Sequence, residues 1–141
     1  MVILVDTNIL LDFFQDREPF RKEAIKIIQL CSTHAVIGHI AAHSITNIFY
    51  ILRKDYSPDE RKAMLLDMCR TMNVIGIDQQ KLIESLTDEN FDDIEDYLQF
   101  ECAASIGADY IVTRNVDDFT ASTIPAILPE DFLSKVEVVH E

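Results

Sequence analysis

Glycine, proline and cysteine are scarce in this 141-residue chain, at three, four and three residues, and tryptophan is absent. So little glycine and proline excludes a collagen-like, linker-rich or low-complexity chain, and no internal repeat is visible. Cys31, Cys69 and Cys102 are odd in number and far apart. They fit neither a disulfide framework nor a zinc site, and are what a cytoplasmic protein with reduced thiols carries. No apolar run approaches the roughly 20 residues of a membrane-spanning helix, so no membrane association is expected. A strand-like segment starts directly after Met1, which argues against a signal peptide.

Base is short as well. Twelve Lys and Arg face 25 Asp and Glu, for a net charge of −13. Taken whole, that charge repels phosphate and argues against a nucleic-acid partner. Its distribution is more informative. No Lys or Arg lies between Lys81 and Arg114, where Glu84, Asp88, Glu89, Asp92, Asp93, Glu95, Asp96, Glu101 and Asp109 all fall. Arg17, Arg21, Lys22 and Lys26 form one basic cluster, and Arg53, Lys54, Arg61 and Lys62 another. An acidic run is ordinarily a solvated face. The sharper alternative is that a few of its acids bind a cation.

Apolar residues, by contrast, make up 48% of the chain. That is enough for one domain over residues 1–141 with its own core. Val2–Val5 reads as a buried parallel strand, short and without alternation. A helix follows over about Asn8–Phe14, and a second from Phe20 to about Cys31. Residues 35–39 (AVIGH) form the next strand candidate, and 41–54 a helix with Ile45, Ile48, Phe49 and Leu52 on its apolar side. Pro58 opens a helix to about Met72, residues 73–77 read as a strand, and Asp78 or Gln79 begins a helix ending near Thr87. Residues 93–107 form a helix with Gly107 where a C-terminal cap belongs. Residues 109–113 are the clearest strand of the second half, and a short segment closes the chain. Alternating strands and helices predict a three-layer α/β/α domain with a mainly parallel sheet.

In such sheets, sites form at the carboxyl ends of the strands. Asp6 stands at that end of the first strand; Thr113, Arg114 and Asn115 stand at that end of the late one. Asp93 and Asp96, three apart, share a face at the start of the helix between. His43 and Asn47, four apart, lie on the polar side of the 41–54 helix. Each has a plainer reading. Asp6 or Thr7 would cap the helix that follows, Asp93 would face a helix dipole, and Asn47 would be a surface or core amide. His39 and His43 lack metal-ligand spacing and are read as non-ligands. Together, however, two or three carboxylates in one crevice repel unless a cation holds them. Oxygen-only ligands suit Mg²⁺ or Mn²⁺, and such an ion can activate water and polarise a phosphoryl oxygen.

Four stretches carry a family resemblance: VDTNILLDFF, AAHSITNIFYIL, DDIEDYLQFECAASIGADYIVTRNVDDF and IPAILPEDFL. They resemble, in order and over nearly the whole chain, the PIN-domain family. More narrowly, they resemble its bacterial branch of small nucleases related to the toxins of toxin–antitoxin pairs. The resemblance implies a parallel-sheet α/β/α fold and Mg²⁺- or Mn²⁺-dependent cleavage of RNA. It also implies a homodimer and neutralisation by a small antitoxin. By position it implies a catalytic set of Asp6, Asp96, Asn47 and Asn115, with the metal held by Asp6 and Asp96 and assisted by Asp93. Asn47 falls where many members have Glu, and Asn115 where many have Asp; each removes a charge. Asp117 and Asp118 are nearby acids able to compensate, and Thr7, Asn8, Ser44 and Thr113 match positions that orient the acids or a water.

The basic clusters complete the expectation. Arg53, Lys54, Arg61 and Lys62 would line the RNA path, and Arg114 would stabilise charge on the phosphoryl group. A haloacid-dehalogenase-type phosphotransferase would want Asp where Asn8 stands. A receiver domain would want an acidic pair after the first strand and a Lys after the late one, where Arg114 stands. The remaining alternative is a PIN fold without catalysis, serving as a nucleic-acid-binding or protein-interaction module, which the two amides favour.

Overall fold

A computed structural model describes residues 1–140. Strand β1 (Val2–Val5) leads through Asp6 into helix α1 (Thr7–Phe14), then α2 (Arg21–Ser32) and β2 (Ile37–Ala41). Helix α3 (Ala42–Ile51) tightens into a 3-10 turn at Leu52–Lys54, followed by α4 (Pro58–Thr71) and β3 (Asn73–Ile75). Helices α5 (Gln79–Thr87) and α6 (Ile94–Ser105) precede β4 (Tyr110–Val112); a 3-10 turn (Val116–Phe119), β5 (Ala126–Ile127) and α7 (Pro129–His140) complete the order.

The strands form one sheet in the order β3-β2-β1-β4-β5, and every pairing is parallel. Successive side chains of a strand point to opposite faces, and the two cores divide accordingly. Ile3, Val5, Ile40 and Val112 enter the larger core, built with α1, α2, α3, α4 and α7. Leu4, Ala41 and Ile111 enter the smaller one, with Cys102 and Ala103 of α6; α5 packs on α6. The three-layer parallel architecture expected from the sequence is the one observed.

Local chemistry sets the ends. Ser57 caps α4 and Glu60 returns the bond to the Ser57 N–H, so two otherwise unpaired donors are satisfied. Helix α6 stops at Gly107, whose φ of +61° suits glycine; its N–H donates to the Ala104 carbonyl, and that of Ala108 to the Ala103 carbonyl. Strand β2 lies two residues later than its apolar run indicates. There Gly38 fits beneath Cys31 and Met72; a Cβ on it would come within 2.5 Å of the Cys31 sulfur. The expected 41–54 helix is α over Ala42–Ile51 only. The closing segment holds a two-residue strand and a full helix, neither of which the sequence pattern revealed.

Candidate active site

The strand order reverses between β1 and β4, where the chain builds outward in both directions. A crevice opens at the carboxyl ends of the strands at such a switch point. Asp6 leaves β1 on one side of it, and Thr113 leaves β4 on the other.

Asp6 is buried at 8% exposure, yet among the described residues no base forms an ion pair with it. Neutral donors hold it. The Thr7 N–H donates to its Oδ1 at 2.7 Å, capping α1, and the Thr113 hydroxyl donates to its Oδ2 at 2.8 Å. Asn8 Nδ2 lies 3.3 Å from both that Oδ2 and Thr113 Oγ1, while Asn8 Oδ1 takes the Arg114 backbone N–H at 3.4 Å. Burial pushes the Asp6 carboxyl above its ordinary value; the bonds from Thr113 and Thr7 pull it down, and Asp118 and Glu95 push it up. Capping and exposure to the crevice are thus both true of this residue.

Asp96, in the first turn of α6, is half-buried. Burial pushes its carboxyl up to about 7, with the charges of Asp93, Asp118, Asp6 and Glu95 adding to the effect. From α3, Asn47 Nδ2 donates to Glu95 Oε1 at 3.0 Å. Asn115, just past β4, anchors its backbone N–H on Thr113 Oγ1 at 3.0 Å. Beneath them the Thr7 and Ser44 hydroxyls share a bond of 2.6 Å, and Gln99 Nε2 donates to Ser44 at 2.8 Å and to Thr7 at 3.2 Å. These groups line a cleft of about 460 Å³ that contains Asp6, Asn47, Glu95, Asp96, Gln99 and Asn115 and no Lys or Arg; Leu11, Tyr50 and Ile51 form its apolar wall.

Other expected residues lie elsewhere. The Asp93 carboxylate accepts the Glu95 N–H at 2.7 Å as the N-cap of α6, and does not line the cleft. Asp117 and Asp118 are exposed on the turn after Asn115, although the charge of Asp118 reaches both Asp6 and Asp96. Arg114 turns away from the cleft. Its guanidinium donates to Asp12 at 2.7 and 3.1 Å, lies 3.9 Å over the Phe20 ring, and borders a separate hollow with Phe20 and Leu128. Arg61 donates to the Phe49 carbonyl at 2.7 Å and covers its ring, so it clamps α4 to α3. Arg53 and Lys54 are exposed beside the cleft wall, with Arg53 stacked 3.7 Å from the Tyr50 ring. His43 is half-buried, and burial lowers its pKa against the pull of Glu95 and Asp93.

Glu95 and Gln99 are the cleft residues that the sequence reading passed over. A usable signal existed: Gln99 lies four residues after Glu95 and three after Asp96, so all three share a helix face.

The donors here suit a hard divalent ion. They are oxygens throughout, and two carboxylates carry raised pKa values with no base to relieve them. Among the described residues no three Asp, Glu, His or Cys side chains are grouped closely enough to hold a metal by themselves.

Comparison with known proteins agrees with the architecture. The chain is similar to the ribonuclease VapC1 of Aquifex aeolicus (strain VF5), at 28% identity over 140 residues covering 94% of each protein. Among solved structures it resembles a toxin–antitoxin complex from Klebsiella pneumoniae, with a TM-score of 0.66 and 23% identity over 90% of this chain and 97% of that chain. It also resembles Mycobacterium tuberculosis VapC20, a sarcin-ricin loop cleaving toxin, with a TM-score of 0.60 and 14% identity over 77% and 86%. A family model described as PIN domain matches residues 2–117. By that match, this chain is a member of the PIN domain family.

Proposed function

We propose that the protein is a Mg²⁺- or Mn²⁺-dependent endoribonuclease, and the toxin of a toxin–antitoxin pair. One observation carries the reading: Asp6 from the end of β1 and Asp96 from the first turn of α6 line the same cleft, which holds no Lys or Arg among the described residues, and both have raised pKa values. The likeness to the VapC1 ribonuclease and to toxin–antitoxin complexes supports the same direction. RNA is the substrate, a small antitoxin the neutralising partner, and a homodimer the working form. Three free cysteines accord with action in the cytoplasm.

Asp6 and Asp96 would hold the ion, with Asn115 placed to offer a neutral oxygen. When bound, the ion supplies Lewis acidity toward a phosphodiester and an attacking water. The chain's residues do the rest. Thr113, Thr7 and Asn8 fix both oxygens of Asp6, so its orientation precedes binding. Leu11, Tyr50 and Ile51 make one wall apolar. Arg53 and Lys54, at the cleft edge, guide the phosphate backbone.

Purified protein incubated with single-stranded RNA and Mn²⁺ is expected to cleave it, with loss of cleavage in Asp6→Asn and Asp96→Asn. Mn²⁺ binding by calorimetry should fail in the same variants. Parent-like binding in both would remove the proposed site, and binding without cleavage would favour the interaction-module reading.

A further inference from the structure

We propose that Glu95 is a working carboxylate of the cation site, facing the ion's water shell, and that Asn47 is the positioning residue that holds it there. This rests on the cation-dependent reading above and deepens it.

Glutamate in the first turn of a helix ordinarily extends into solvent, where the helix dipole favours it. Glu95 is exposed too, but it lines the cleft with Asp6 and Asp96 and meets Asn47 across 48 residues of sequence. It has no Lys or Arg partner among the described residues. Its charge is felt by both acids, as a contribution that raises each. A lone glutamate would have to give up considerable side-chain freedom to serve as a fixed ligand. The Asn47 amide ties down Oε1 in advance and leaves Oε2 without a recorded partner. An amide is suited to this: it donates to a carboxylate without neutralising it.

Gln99 gives a second, independent indication. It is 2% exposed and lines the cleft, and its Nε2 is occupied by Ser44 and Thr7, yet its Oε1 has no partner. A buried acceptor without a donor is uncommon in folded proteins. A hydrated cation brings ordered water donors to that place. Glu95 acts on the hydration shell, as suits an ion that retains its waters.

The plain competitor is that Asn47–Glu95 merely ties α3 to α6. Glu95→Gln separates the two readings, because glutamine keeps an oxygen for Asn47 but loses the charge. The experiment is Mn²⁺ titration by electron paramagnetic resonance, without RNA, with thermal melts to confirm folding. Mn²⁺ affinity is expected to fall about tenfold in Glu95→Gln, the scale for outer partners of a metal site. Asn47→Ala, which frees Glu95, should also weaken binding, by less than Glu95→Gln does. The double variant Asn47→Glu/Glu95→Gln moves the charge to the facing helix and should recover most of the loss. Parent-like binding in Glu95→Gln, with Asp6→Asn defective, overturns this inference and leaves the cation reading standing. A double variant no better than Glu95→Gln overturns the assignment of the two side chains to one ion. Parent-like binding in Asp6→Asn and Asp96→Asn overturns both readings together.

Discussion

Two aspartates six residues apart, Asp6 and Asp12, are both buried, and the chain treats them in opposite ways. Asp12 has no exposure, and its carboxylate is gripped by Arg114 at 2.7 Å with Arg17 at 3.9 Å. Asp6 has 8% exposure and only neutral donors: an amide N–H, a hydroxyl and a side-chain amide. A guanidinium holds a carboxylate by discharging it. Neutral donors hold one and leave its charge available. The first arrangement anchors α1 to the strand end beyond β4; the second leaves beside it a carboxylate without a cation, which burial pushes toward its protonated form.

The largest test of this contrast is on stability. Asp12→Ala should lower the unfolding free energy by about 3 kcal/mol, the low end for a broken buried pair, since Arg114 keeps 23% of its side chain in water. Asp6→Asn should leave the metal-free melting temperature unchanged or raised while abolishing Mn²⁺ binding. Equal destabilisation by both would collapse the contrast.

Acidity sharpens it. The Asp96 carboxyl moves from an ordinary 3.8 to about 7 in the folded chain. Between those values the folded state holds a proton that the unfolded chain has lost. Metal-free stability should therefore fall as pH rises from about 4 to about 7 and level off above. The upward shift of Asp6 has the same sign. Urea midpoints across that range should fall less steeply in Asp96→Asn than in the parent. An identical slope would mean that Asp96 titrates normally.

A smaller effect is expected from Thr113→Val, which removes the hydroxyl donated to Asp6. Mn²⁺ affinity should fall about tenfold, as for other partners of a metal ligand. The smallest concerns the basic residues. Charge reversal at Arg53 and Lys54 should flatten the log–log salt dependence of RNA binding by about 1.4, two single-strand phosphate contacts' worth. Lys62→Glu should change it less. Reversal of Arg61 should act chiefly on the melting temperature, because its guanidinium clamps Phe49.

These contrasts also mark how far the sequence could be read. The apolar run at Val2–Val5 followed by Asp-Thr-Asn was enough to place Asp6 at a strand end. Asp96, Asn47 and Asn115 followed from their positions along helices and strands, and all line the cleft. Register was harder. The two-residue displacement of β2 depends on Gly38 meeting Cys31 and Met72, residues of other elements. A strand of two residues has no period to detect, and α7 carries a Val-rich stretch that resembles a strand. Asp93 and Glu95 were hard to tell apart for a similar reason. Spacing alone pairs Asp93 with Asp96, but the N-cap residue uses its carboxylate on the backbone, and it is Glu95, two places later, that lines the cleft. Arg114 was legible as a residue beside the site but not as a partner of Asp12, which is 102 residues away.

The hydroxyl that orients Asp6 belongs to Thr113, 107 residues later in the chain. Its strand, β4, enters the sheet directly beside β1. During synthesis, a growing polypeptide carries Asp6 out of the ribosome long before its partner exists, and the cleft stays unbuilt until residues beyond Thr113 emerge. A site arranged this way is a late product of synthesis: no nascent chain that stops short of Thr113 carries both halves of it.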